Sequence, residues 1–209
     1  MPAVAAHERA PAPRLDFEPP PAGSYTLHRI MKAPDGEVLG VDGRARHLAE
    51  FLRDRITLVG FIYTTCVDPE GCPLVYRVFE SLKDTVARAP ALHGKIRLVT
   101  LSFDPVRDTP GVMGRYAGSR VRDDRGGMPW YFLTTRSARE LMPLVEGFGQ
   151  DVRYTVDRST GTPRRELSHV LKVFLIDRAA YVREIYSSTF LHPKTVLNDI
   201  ETLLLEKQP

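Results

Sequence analysis

The chain has 209 residues, 43% hydrophobic and 26% charged, the balance of one soluble globular domain with a tail and not of a disordered, collagenous or repeat protein. Twenty-nine Lys and Arg against 26 Asp and Glu leave a formal charge of +3, and Arg120, Arg122 and Arg125 are interleaved with Asp123 and Asp124, so no basic stripe forms and no nucleic acid is expected as a partner. The longest apolar run, Ile56 to Tyr63, falls far short of the roughly 18 residues a membrane helix needs.

The first 23 residues hold six of the 17 prolines and few large apolar side chains, which predicts a flexible Pro-rich leader over 1–23 and one domain over 24–209. Ala3 to Ala6 followed by polar sequence reads as the stub of an export signal. Tyr25 to Met31 and Glu37 to Val41 flank Pro34-Asp35-Gly36, which predicts an N-terminal β-hairpin. Ile56 to Tyr63 reads as a central strand covered on both faces.

After Pro73, apolar residues Leu74, Val75, Val78, Phe79, Leu82 and Val86 recur at helical spacing. Ile96 to Phe103 repeats the buried-strand pattern, and Thr109-Pro110 offers the start of a second helix. Trp130 to Leu133 reads as a short strand and Ser137 to Gly147 as a Ser-capped helix. Val152 to Val156, Ser168 to Ile176 and Tyr181 to Tyr186 are strand candidates, the last two antiparallel across Asp177 to Ala180. Pro193 to Leu204 gives a final amphipathic helix. The expected class is therefore α/β, a thioredoxin-like fold with a central mixed sheet flanked by helices.

Cys66 and Cys72 are the chain's two cysteines. They fall beyond the C-terminal end of the Ile56 to Tyr63 strand and at the start of a helix, where open α/β sheets present reactive groups. The helix N-terminus favours a thiolate, at Cys72 in particular, whereas Asp68 and Glu70 in the same loop oppose one. Three chemistries fit the pair: a structural disulfide of an exported domain, a redox-active dithiol with five intervening residues instead of the usual two, and a soft-metal chelate, Cu(I) before Zn(II). The metal reading needs a further ligand. Of six histidines, His169 stands at the start of a predicted core strand, while His7, His28, His47 and His93 read as surface residues and His192 as the entry to the last helix.

Taken together these residues resemble the Sco (SenC/PrrC) family, copper-handling thioredoxin-like proteins of cytochrome c oxidase assembly. The likeness runs from about Tyr25 to Leu205 and rests on Phe61-Ile-Tyr-Thr-Thr-Cys66, Cys72-Pro73, Ser102-Phe-Asp-Pro-Val-Arg-Asp-Thr-Pro110, Trp130 to Leu133, and Leu167-Ser-His169 with the run to Asp177. The resemblance implies Cys66, Cys72 and His169 as ligands for copper, Cu(I) or Cu(II). It implies a metallochaperone, not an enzyme in the turnover sense, that serves the oxidase subunit carrying the CuA site or another copper acceptor. The expected location is the periplasm or the outer face of the inner membrane. The alternative is a thiol-disulfide oxidoreductase using Cys66 and Cys72 as its redox pair, and in either case a thiol reductase is a possible partner.

One departure from the family pattern is the spacing: five residues separate the cysteines here, where the family typically has three. Either Asp68 or Glu70 in this longer loop is available to add an oxygen ligand, although solvated loop acids are the default for both. For Asp104, Arg107 and Asp108 the expected roles are local: Asp108 and Thr109 capping a helix, Arg107 in a nearby ion pair.

Overall fold

The computed structural model describes residues 15–66, 68–157 and 164–206. Eight strands build one sheet: β1 (Met31–Lys32), β2 (Glu37–Gly40), β3 (Ala45–His47), β4 (Ile56–Ile62), β5 (Ile96–Ser102), β6 (Trp130–Thr134), β9 (Val173–Ile176) and β10 (Tyr181–Tyr186). A separate antiparallel pair, β7 (Val152–Asp157) and β8 (Arg164–His169), projects from it. The sheet order is β1-β10-β9-β4-β5-β6-β2-β3. Its centre, β4, β5 and β6, is parallel, and β9 and β2 close the two sides antiparallel. This mixed sheet has the thioredoxin-like order that the sequence predicts.

Every residue of β4 is buried, because the strand serves two cores. Ile56, Leu58 and Ile62 face helix α1 (Cys72–Arg88), while Val59 and Phe61 face the opposite layer with α3 (Ala138–Gly147). Helices α2 (Pro110–Ala117) and α4 (Pro193–Leu205) add their apolar residues to the α1 side. Each fully buried side chain of α1 such as Phe79 contributes about 1.5–3 kcal/mol relative to exposure. The approach of α1 to β4 is close at Gly60, where a Cβ would lie 2.6 Å from Val75 Cγ1.

The N-terminal hairpin is present, but with other partners than expected. β2 pairs with β3 across a turn at Gly43, which has φ +74°, and the Tyr25 to Met31 stretch instead contributes only its end, with β1 running antiparallel to β10. The reason is the Pro34 corner. Asp35 turns its carboxylate onto the N–H groups of Gly36 and Ala49, and Leu48 N–H donates to Gly36 O, so the corner closes onto residues 48–51 and not across its own flanks.

The expected strand Ser168 to Ile176 is likewise two strands. Val170 is 56% exposed, its carbonyl accepts from Gln150 Nε2 at 2.6 Å, and Lys172 Nζ donates to Gly149 O at 2.6 Å. The sheet strand begins only at Val173. His169 therefore ends β8, paired opposite Val152.

Of the expected leader, residues 1–14 lie outside the described residues. From residue 15 the chain follows α4: Asn198 donates to Pro20 O, Gly23 N–H donates to Thr202 Oγ1, and Asp199 accepts from both Tyr25 and Tyr186 hydroxyls. Among the described residues no helix is long and apolar enough to cross a membrane.

Gly60→Ala is expected to cost about 1–3 kcal/mol by overpacking β4 against α1. The check is a lower denaturant midpoint at unchanged m-value.

Candidate metal centre

Beyond β4 the chain turns through Thr64 and Thr65 and places Cys66 N–H on Tyr63 O at 3.1 Å. The following loop folds tightly back to the start of α1: Gly71 N–H donates to Asp68 O, and a Cβ on Gly71 would lie 3.3 Å from Cys66 Sγ. Cys66 and Cys72 are free thiols, 5% and 1% exposed. His169 arrives from the end of β8, its ring packed against Phe103 (centroids 4.8 Å apart) and edge-on to Tyr63 (5.7 Å). Its Nε2 lies 3.9 Å from Cys72 Sγ. The ligand atoms of Cys66, Cys72 and His169 all fall within 4.8 Å of one another.

The residues fit a soft or borderline ion. Two sulfurs and an imidazole are already gathered, largely away from water, and such a set suits Cu(I) or Zn(II). His169 Nδ1 is buried without a hydrogen-bond partner among the described residues, so aromatic packing and not a carboxylate orients the ring. Neither Asp68 nor Glu70 belongs to the cluster; Asp68 Oδ1 is engaged by the Glu70 N–H at 3.0 Å. His28, His47 and His93 are exposed, His192 accepts from Lys194 N–H at the start of α4, and His7 lies outside the described residues.

The two thiols are electrostatically unlike. Cys66 is held well below the ordinary thiol range, first by the hydrogen bond from Cys72, then by His169 and by the backbone N–H groups of Cys72 and Asp68, against the cost of burial. Cys72 is pushed up, first by burial and then by its hydrogen bond to Cys66. Tyr63 is also raised, by burial and by its hydrogen bond to Cys66. The balance between helix N-terminus and loop acids, which the sequence leaves open, thus favours the charge at Cys66 over Cys72. The physical reason is position: Cys72 is the first residue of α1 with its side chain in the core, while Cys66 lies in front of the helix start and takes the N–H groups of Cys72 and of Asp68 in the loop.

Sequence reasoning missed a positioning residue. Asp108 is fully buried and does not cap α2, whose start has no side-chain cap. Its carboxylate accepts from Thr64 N–H at 3.0 Å, from the Thr64 hydroxyl, and from Ser102 Oγ at 2.6 Å. This ties the loop after β5 to the turn that carries Cys66. Arg107 makes the expected local ion pair with Asp104, at 4.0 Å, and also reaches Thr65 Oγ1 at 3.5 Å. Tyr154 OH donates to Phe103 O at 2.7 Å, which anchors the β7–β8 arm beside the same loop. The visible signal was the Ser102 to Pro110 segment itself, whose acid two residues before a proline reads as a cap by default.

A SCO1/SenC family model matches residues 35–205. A comparison with curated proteins gives no match. Among solved structures the chain is similar to yeast Sco1 with copper bound (15% identity, 86% of this chain and 91% of that chain, TM-score 0.68). It is similar to a SCO1/SenC family lipoprotein from Bacillus anthracis (20% identity, 83% and 95%, TM-score 0.63). It is similar also to BsSco, a member of the Sco family of cytochrome c oxidase assembly proteins in which a disulfide switch was identified (20% identity, 87% and 99%, TM-score 0.61).

Two outcomes are expected from the geometry. Asp108→Ala leaves the Thr64 N–H and the Ser102 hydroxyl buried without their acceptor, at about 1–3 kcal/mol in unfolding free energy. Reduced, metal-free protein keeps its ultraviolet thiolate absorbance as pH falls through and well below the ordinary thiol range, and Cys66→Ser removes that low-pH signal.

Proposed function

We propose that this chain, which belongs to the SCO1/SenC family, is a copper-binding metallochaperone that holds copper through Cys66, Cys72 and His169 and delivers it to, or prepares the cysteines of, the CuA site of cytochrome c oxidase. The observation that carries the reading is the gathering of two sulfurs and one imidazole nitrogen within 4.8 Å. Copper bound in yeast Sco1 and the oxidase-assembly role of BsSco's family support the choice of metal and acceptor. The lipoprotein relative supports a location outside the cytoplasm, at the outer face of the inner membrane or in the periplasm.

The donor set explains how transfer proceeds. Two thiolates and an imidazole give Cu(I) three ligands and leave a position for an incoming thiolate, so the ion passes through a shared-ligand state without being released to water. With a further oxygen or water ligand the same set tolerates Cu(II). Both thiols must be reduced first, because a disulfide offers no thiolate.

A second reading is favoured by the depressed Cys66 thiol beside a protonated Cys72. In it the chain reduces a partner's disulfide: Cys66 thiolate attacks one partner sulfur and releases the other as a thiolate. Cys72 then loses its proton and attacks the Cys66 sulfur of the mixed disulfide, which leaves a Cys66–Cys72 disulfide and a reduced partner dithiol. This chemistry needs no His169.

The test is metal content after anaerobic Cu(I) loading of the reduced protein. One copper per chain is expected, lost in Cys66→Ser and in His169→Ala, with dithiol exchange retained by His169→Ala. Full copper retention by His169→Ala contradicts the ligand set.

A further inference from the structure

Beside the loop between the cysteines the surface opens into a groove of about 560 Å³, walled by Pro69 and Glu70 of that loop, by Leu74 of α1, and by Phe17 and Phe190. Phe17 and Phe190 remain 40% and 52% exposed, with ring centroids 5.8 Å apart and planes inclined at 53°. Aromatic surface left in water beside a concavity is surface available to a partner.

Two carboxylates share the same walls. Asp16 and Glu70 are exposed, and neither side chain has a partner among the described residues. Among the described residues the one cation of the lining, Arg77, is turned onto the loop, where its Nη2 donates to Pro69 O at 3.2 Å. Open acids flanking a pair of ring faces are complementary to a cation on an aliphatic stem, since the rings attract the charge and cover the methylenes.

We propose that this groove is a docking site for a partner-protein segment bearing a Lys or Arg side chain, its stem against Phe17 and Phe190 and its charge on Asp16 and Glu70. The groove wall is also the outer surface of the loop that covers the cysteines. Cys66 and Cys72 are 5% and 1% exposed, while Asp68, Pro69 and Glu70 of the loop between them face solvent. A segment seated there engages that cover directly, so docking and access to the sulfurs are coupled. That consequence rests on the copper-transfer reading, whereas binding in the groove does not.

The test titrates reduced, copper-free full-length chain with the peptide acetyl-Ala-Lys-Leu-Lys-Ala-amide, followed by NMR. Saturable shifts are expected at Glu70, Leu74 and Phe190. The Asp16→Asn/Glu70→Gln double variant and Phe190→Ala are each expected to bind about fivefold more weakly, and a peptide with Glu for Lys is expected not to bind. Equal binding of the Lys and Glu peptides, or undiminished binding by the double variant, overturns the groove. In a second arm the copper-loaded chain is challenged with the chelator bicinchoninate: saturating Lys peptide is expected to speed Cu(I) loss in the parent and not in Phe190→Ala, at equal copper content. An unchanged rate overturns the coupling. A parent that holds no copper defeats the copper reading while the titration still decides the groove.

Discussion

The structure depends on one act of convergence: two sulfurs from a single turn must meet an imidazole 97 residues further along the chain. A parallel sheet supplies the means. β4 delivers Cys66 at its C-terminal end, and the crossover into α1 begins at Cys72. The β7–β8 arm, anchored through Tyr154 on the loop after β5, brings His169 over the same edge. Each ligand is thus held by a different kind of support: backbone turn for Cys66, helix start for Cys72, strand pairing and aromatic packing for His169.

Burial sets the electrostatics of this site. It removes the thiols from water, which raises the cost of a charge there, and hydrogen bonds outweigh that cost at Cys66 but not at Cys72. A single charge shared unequally between two thiols follows. The loop between the cysteines also forms a wall of the groove next to the site.

Much of the fold was legible because it was written in periodicity. The unbroken apolar run of β4 and the helical spacing of Leu74 to Val86 leave little choice of structure or partner layer. What failed to show was decided by side chains turning back on the backbone. Asp35 closing onto Ala49 moved the hairpin, and Gln150 and Lys172 capturing the carbonyls of Val170 and Gly149 split the strand that contains His169. Local pattern cannot register such contacts. The site divides in the same way: the three donor types were readable from residue chemistry and family likeness, but Asp108's hold on Thr64, 44 positions away, and the preference for a thiolate at Cys66 needed three-dimensional proximity.

The most direct test of the convergence is the copper K-edge X-ray absorption spectrum of the protein loaded with Cu(I). Two sulfur scatterers and one imidazole nitrogen in the first shell, with the imidazole signal gone in His169→Ala, is the predicted result. A first shell of sulfur alone, identical in the parent and in that variant, would show that the distant histidine does not share the ion with the two thiols.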